Sequence, residues 1–342
     1  MPLRPSGTTA SLERRAVPSG PPLATDQRGT AVGPPVVGRR IVGSAWRKRS
    51  TIVLFLLPAV SLYVLFVLVP IVQGAYYSGF DWNGLAPLSD FIGLDNYREA
   101  LADPVFLASV RHVFVILILS LLLQLPFALG LAVLLNQRIR GRAILRLLFF
   151  LPFVLSEVIT AVVWRLLLQP GGLADRSLEV VGLGGFVQEW LANPDIVLYT
   201  VFVVVTWKYF GFHMILYLAG LQQIPRELEE AAALDGATKW KTFRHVTLPL
   251  LGPTIRISAF LSMIGSLQLF DLVWVMTGGG PVNASNTPAV YMIDRGFERS
   301  RFGYGSAVAV LMFLLCFMIA ILYQRFVLRR DVHGALTRMG AV

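Results

Sequence analysis

The chain has 342 residues, of which 55% are hydrophobic and 15% charged, and it carries a formal net charge of +10. A soluble domain of this length needs more polar surface than that to stay wetted, so the composition excludes an ordinary water-soluble globule and points to lipid as the solvent. The basic residues cluster between apolar runs, which argues for membrane orientation and against nucleic acid, and a single cysteine (Cys316) with four histidines and no HExxH or CxxC spacing argues against disulfides, a metal site or a catalytic metal centre.

Residues 1–50 are rich in Pro, Gly, Ser, Thr and Arg, hold nine Arg or Lys, and show no apolar periodicity. They are expected to form a disordered basic tail. Six apolar segments follow, at about 51–73, 110–135, 145–168, 196–220, 254–276 and 305–327. Each is near the roughly 20 residues that a spanning helix needs. Helices are expected because lipid cannot satisfy backbone hydrogen bonds. Pro58 and Pro126 lie inside spans and are expected to kink them.

The connections set the orientation. Segments 1–50, 136–146, 221–256 and 324–342 contain 22 of the 30 Lys and Arg, whereas 74–109, 169–195 and 277–304 contain five. The first set, with both termini, is therefore expected on the cytoplasmic side of the membrane. Three arginines in the last outer loop, Arg295, Arg299 and Arg301, fit that rule less well. The resulting division is a tail (1–50), a first transmembrane helix with its outer loop (51–109), a core of five transmembrane helices (110–328) and a cytoplasmic tail (329–342).

Charges inside spans point to function. Glu157 falls near the middle of the third span, Lys208 is central in the fourth, and Asp271 lies in the outer half of the fifth. Glu157 and Lys208 suit either a buried interhelical pair or a solute path. Ser258, Ser262 and Ser266 share one helix face by their spacing of four, and serve either close packing or a wetted face. Trp164, Trp207 and Trp274 fit an interfacial aromatic belt, and His213 a packed residue.

The connection 221–253 holds the most polar long stretch between spans. In "IPRELEEAAALDGA" (224–237), Pro225 suits the first helical position, Glu227, Glu229 and Glu230 favour the positive end of the helix dipole, Ala231–Ala233 are strong helix formers of little bulk, and Gly236 suits a left-handed stop. "TKWKTFRHV" then forms a second amphipathic piece before Pro249. The predicted helix–turn–helix is either a surface-bound connector or a seat for a partner.

The order Glu230-Ala231-Ala232, Gly236, Val246 and Leu248-Pro249 resembles the EAA loop of ABC importer permeases, with Val246 where that family usually has Ile. "FLLPAVSLYVLFVLVPIVQGAYYSGFDWNGL", "FIGLDNYREALADPVF", "RAILRLLFFLP" and "WVMTGGGP" resemble the carbohydrate-uptake branch, in its maltose-type and glycerol-phosphate-type first-permease subgroup. The resemblance implies an all-α membrane protein with six transmembrane helices and a cytoplasmic coupling helix, the type I ABC importer permease fold. It implies that Glu230, Ala231, Ala232, Asp235 and Gly236 dock onto a cytoplasmic ABC ATPase dimer. It also implies a second homologous permease subunit, an extracytoplasmic solute-binding protein, and a sugar, of di- or oligosaccharide size, as solute. Carried over in the same way, the solute path would include Ser262, Ser266 and Gln268, with Glu157 and Lys208 added from their charge. The chain has no GxxxxGK[ST] loop to cradle ATP. No cofactor is implied. Glycerol phosphate or another small polar solute, an ion-driven transporter and a membrane-embedded enzyme are the alternatives.

Overall fold

The computed structural model describes residues 42–328 apart from 86 and 138, with the backbone alone for 42–50. Most of the expected tail and the C-terminal segment 329–342 therefore lie outside the described residues. The described residues divide into two units between Ala59 and Val60. A helix begins at Val42, upstream of the start expected at residue 51, and runs to Tyr63.

Among the described residues the secondary structure is helical, apart from one isolated bridge between Phe80 and Phe91. The elements, in order, are α1 (Thr51–Tyr77, the apolar part of the first helix), α2 (Asp95–Ala102), α3 (Pro104–Asn136), α4 (Arg142–Val154) and α5 (Glu157–Leu167). They continue with α6 (Leu173–Val180), α7 (Val197–Gln222), α8 (Arg226–Leu234) and α9 (Lys239–Leu250). The last are α10 (Gly252–Leu267), α11 (Asp271–Met276), α12 (Pro288–Met292) and α13 (Phe302–Leu328). Four of them, α1, α3, α7 and α13, are each long and apolar enough to cross a membrane. The third expected span is a bent pair, α4 and α5 meeting at 98°, and the fifth begins at α10, which meets the hairpin helix α9 at 66°. The fifth expected span, 254–276, is itself divided, because α10 ends at Leu267 and α11 starts at Asp271.

Prolines act through π-turns. Pro70, Pro126 and Pro249 each stand two residues after a five-residue π-turn, at Val64–Leu68, Ser120–Gln124 and Phe243–Thr247. Proline has no N–H and its ring presses on the carbonyl four residues back, and widening the preceding turn relieves both problems without ending the helix. A π-turn precedes Pro126, the site of an expected kink, and 104–136 runs on as one span; Pro58 lies within regular α-helix.

The core centres on α7, which is buried along most of its length. Val201, Val204 and Val205 pack with Leu272, Val273 and Met276 of α11. Farther along, Phe210, Met214 and Tyr217 pack on Ala128 and Ala132 of α3. Small residues let these helices approach closely, because lipid gives no hydrophobic drive for one helix to meet another. Gly211 is the tightest case: a Cβ there would lie 1.9 Å from the carbonyl oxygen of Phe149 in α4.

At the 74–109 end, Asp103 caps α3 by accepting from the backbone N–H of Val105 (2.7 Å) and Phe106 (3.3 Å), with Pro104 at the first position. It also accepts from the Tyr291 hydroxyl at 2.6 Å, which lies 2.7 Å from the Tyr304 hydroxyl. Burial pushes the Asp103 carboxyl up, but the bonds from Tyr291, Val105 and Phe106 outweigh it and hold the group below its ordinary range. Arg301 grips Glu99 with two bonds of 2.6 and 2.7 Å, and this side-chain hydrogen bonding holds the Glu99 carboxyl down. A carboxyl lowered by folding contributes stability above its unfolded range, lost as pH falls through the folded value. Both side chains are over one-third exposed, so solvent limits the pair to under about 1 kcal/mol. Arg301→Gln is expected to lower the melting temperature slightly at neutral pH and to have no effect in acid; a penalty that persists at low pH would refute the assignment.

Candidate functional site

Both divided spans expose backbone groups at their breaks. Pro152 sits in the last turn of α4, and Leu155 turns extended (φ −66°, ψ 142°), ending that helix. The Leu155 carbonyl is taken by the Lys208 ammonium of α7. At the second break the Leu269 carbonyl accepts from the Thr287 hydroxyl at 2.9 Å. Non-helical backbone is tolerated at membrane depth when protein groups satisfy it in this way.

Each break begins a new helix with a carboxylate at its first position, Glu157 in α5 and Asp271 in α11, where the helix dipole favours negative charge. Glu157 thus lies at the start of a half-helix and not in the middle of a continuous span. No ion pair joins Glu157 to Lys208. Instead Glu157 accepts from the Tyr209 hydroxyl, while Lys208, 3% exposed, is spent on Leu155.

The two breaks meet at a cavity of about 370 Å³. Four of the five residues expected on a solute path line it: Glu157, Ser262, Ser266 and Gln268. Lys208 does not; the structure gives it the task of closing the first break. Replacing it by Met would leave the Leu155 carbonyl unpaired, at a cost of about 1–3 kcal/mol. A fall in the melting temperature of the detergent-solubilised protein measures this, and an unchanged value would remove that task from Lys208.

Sequence reasoning passed over Ser120, Gln124 and Tyr209, which also line the cavity, and noted Asp271 without assigning it there. Ser120 and Gln124 lie four apart at the two ends of the π-turn before Pro126; polar residues at that spacing beside a mid-span proline were the available signal. The Ser120 hydroxyl is buried and has no hydrogen-bond partner. The serine face divides its work: Ser258 lies 2.8 Å from Nδ1 of His213, which also lines the cavity, and the Ser266 hydroxyl donates to the Ser262 carbonyl at 2.9 Å. Trp164 and Trp207 pack edge to face, and Trp274 stacks on Phe270; none lines this cavity. A larger cavity of about 660 Å³, bounded by Trp164, Trp190 and Tyr199, is almost wholly apolar and offers few groups to a polar solute.

The polar connection forms the expected helix–turn–helix. Pro225 is the residue before α8 and not its first, so the helix starts at Arg226. Gly236 has φ +81°, the left-handed stop. The Gly236 N–H donates to Ala233 and the Ala237 N–H to Ala232, closing the helix end at 3.0 and 2.9 Å. Thr247 donates to Glu229 at 3.3 Å, tying α8 to the following helix. Glu230, Ala231, Asp235 and Gly236 are exposed and Ala232 is partly covered. Leu234 is 90% exposed and Trp240 66%. Among the described residues, these two apolar side chains stand largely uncovered on a polar hairpin.

Residues 124–332 match the family model described as binding-protein-dependent transport system inner membrane component. A probable ABC transporter permease protein of Pyrococcus horikoshii is 36% identical over 275 residues, covering 80% of this chain and 94% of the relative. The trehalose/maltose transport system permease protein of Thermococcus litoralis is 32% identical over 277 residues, covering 80% and 92%. The multiple sugar-binding transport system permease protein of Streptococcus mutans is 31% identical over 274 residues, covering 78% and 92%. Among solved structures, a chain of a bacterial ABC transporter involved in import of the acidic polysaccharide alginate superposes with a TM-score of 0.73 at 23% identity, covering 83% of this chain and 97% of that one.

Proposed function

The chain belongs to the binding-protein-dependent transport system inner membrane component family, and from that premise we propose that it is the permease subunit that carries a di- or oligosaccharide inward across the cytoplasmic membrane. ATP is hydrolysed by a separate subunit. The observation that carries the solute path is the convergence of Glu157, Ser262, Ser266 and Gln268, from two divided spans, on one polar cavity. Relatives named for trehalose/maltose and multiple-sugar transport support sugar as the solute class. Both termini and the α8–α9 hairpin face the cytoplasm, where Glu230, Ala231, Ala232, Asp235 and Gly236 seat against the ATPase dimer. A second, similar permease completes the pathway, and an extracytoplasmic binding protein delivers the solute. The division into tail, first helix with outer loop, and core follows the same orientation.

The test is reconstitution of this chain with the permease, ATPase and binding protein that copurify with it, and uptake of a radiolabelled sugar panel. Uptake that needs ATP and the binding protein is the expected result. Uptake driven by an ion gradient without ATP would overturn the reading, as would labelling of the α8–α9 hairpin from the cell exterior.

A further inference from the structure

We propose that Glu157 and Asp271 sort solutes by charge, so that the cavity admits neutral polyhydroxylated solutes and turns away anionic ones such as sugar phosphates and uronates. This inference rests on the permease reading above. Glu157 and Asp271 line the cavity and no Lys or Arg does. The nearby cation, Lys208, lies outside the lining on the Leu155 carbonyl, and its charge offsets part of that of Glu157. Each carboxylate stands at a helix N-terminus, whose partial charge is only about half that of an ion, so with Lys208 set against Glu157 the unbalanced negative charge falls mainly on Asp271. Helix α11 has six residues and screens Asp271 still less.

The remaining polar lining carries no Asp, Glu, Lys or Arg, and His213 within it is tied to Ser258. Gln124, Ser262 and Gln268 both donate and accept, Ser266 accepts while its hydrogen goes to the Ser262 carbonyl, and the Ser120 hydroxyl, 1% exposed and unpartnered, has a bond to give. Carboxylates accept from hydroxyl groups in short charge-assisted bonds, so a sugar's hydroxyls satisfy them. A phosphate or carboxylate would instead bring like charge into a confined, partly desolvated space. The alginate importer shares the fold at 23% identity while carrying an acidic polysaccharide, so the fold leaves this choice to the lining residues.

Thiol reagents of opposite charge test the field without knowledge of the solute. In the complete importer, with Cys316→Ala removing the native thiol, Gln268→Cys places a single reactive group on an exposed part of the cavity wall. The cationic trimethylammonium-ethyl methanethiosulfonate is expected to react at least about tenfold faster than the anionic sulfonatoethyl reagent, after division by their rates with a free thiol. Adding Glu157→Gln and Asp271→Asn is expected to bring that ratio close to one. Equal rates in the background with both carboxylates present, or a faster anionic reagent, would overturn the proposal. Ser262→Cys serves as the second position if Gln268→Cys fails to assemble. Reaction with neither reagent at either position would instead remove the cavity from the solute path and sink the permease reading of this site.

Discussion

Gly236→Leu is expected to uncouple ATP hydrolysis from uptake. Gly236 holds φ +81°, a conformation that costs an L-residue about 1–2 kcal/mol. No atom lies within 4 Å of the position a Cβ would take there, so the penalty comes from the backbone and not from a clash. The chain relieves it by rotating the end of α8, which moves Ala232, Asp235 and Leu234 relative to α9. On the docking reading, that rotation unseats the contact with the ATPase. Uptake is expected to fall by at least about tenfold, a change of roughly 1.4 kcal/mol in coupling, while hydrolysis by the assembled complex continues. Gly236→Asn, which tolerates the left-handed region better, is expected to retain more uptake than Gly236→Leu. Normal uptake with Gly236→Leu would refute the docking role of the hairpin.

Gly211→Val is expected to have the largest effect on assembly. The first carbon of any side chain at this position would stand 1.9 Å from the Phe149 carbonyl oxygen and 2.7 Å from its carbon. Those are backbone atoms of α4, so no rotamer change gives relief and α7 must move off α4. Overpacking costs about 1–3 kcal/mol where side chains can adjust; here the cost is at the upper end or beyond. The shift would also displace Lys208 from the Leu155 carbonyl and Tyr209 from Glu157, both within a turn of Gly211. Loss of the membrane-inserted protein, or a large fall in melting temperature, is the expected readout. Gly130→Ala, with no atom within 4 Å of the added carbon, is the matched control and is expected to be close to neutral. Equal behaviour of the two variants would show that the α4–α7 contact is not close.

The hydropathy and the caps were legible because their causes are local. A spanning helix needs a run of about 20 apolar residues wherever it packs, and α1, α3, α7 and α13 appear where such runs occur. Gly236 needs a left-handed backbone whatever lies around it, and the stop at the end of α8 was read from its residue type. Pro225 was misplaced by one position, since a proline is comfortable both just before and just inside a helix start.

What the sequence by itself determined is therefore the helical class, the approximate span positions, the hairpin and most of the polar residues that matter. Only the tertiary structure decided where two spans divide and which polar groups meet. A break at Leu155 costs unpaired carbonyls unless a distant side chain supplies a donor, and that donor, Lys208, comes from 53 residues away. The same contact keeps Lys208 out of the cavity lining, which includes Glu157 and Asp271. Hydropathy sums each residue with its neighbours along the chain; the satisfaction of a broken backbone depends on neighbours in space, which no local window contains.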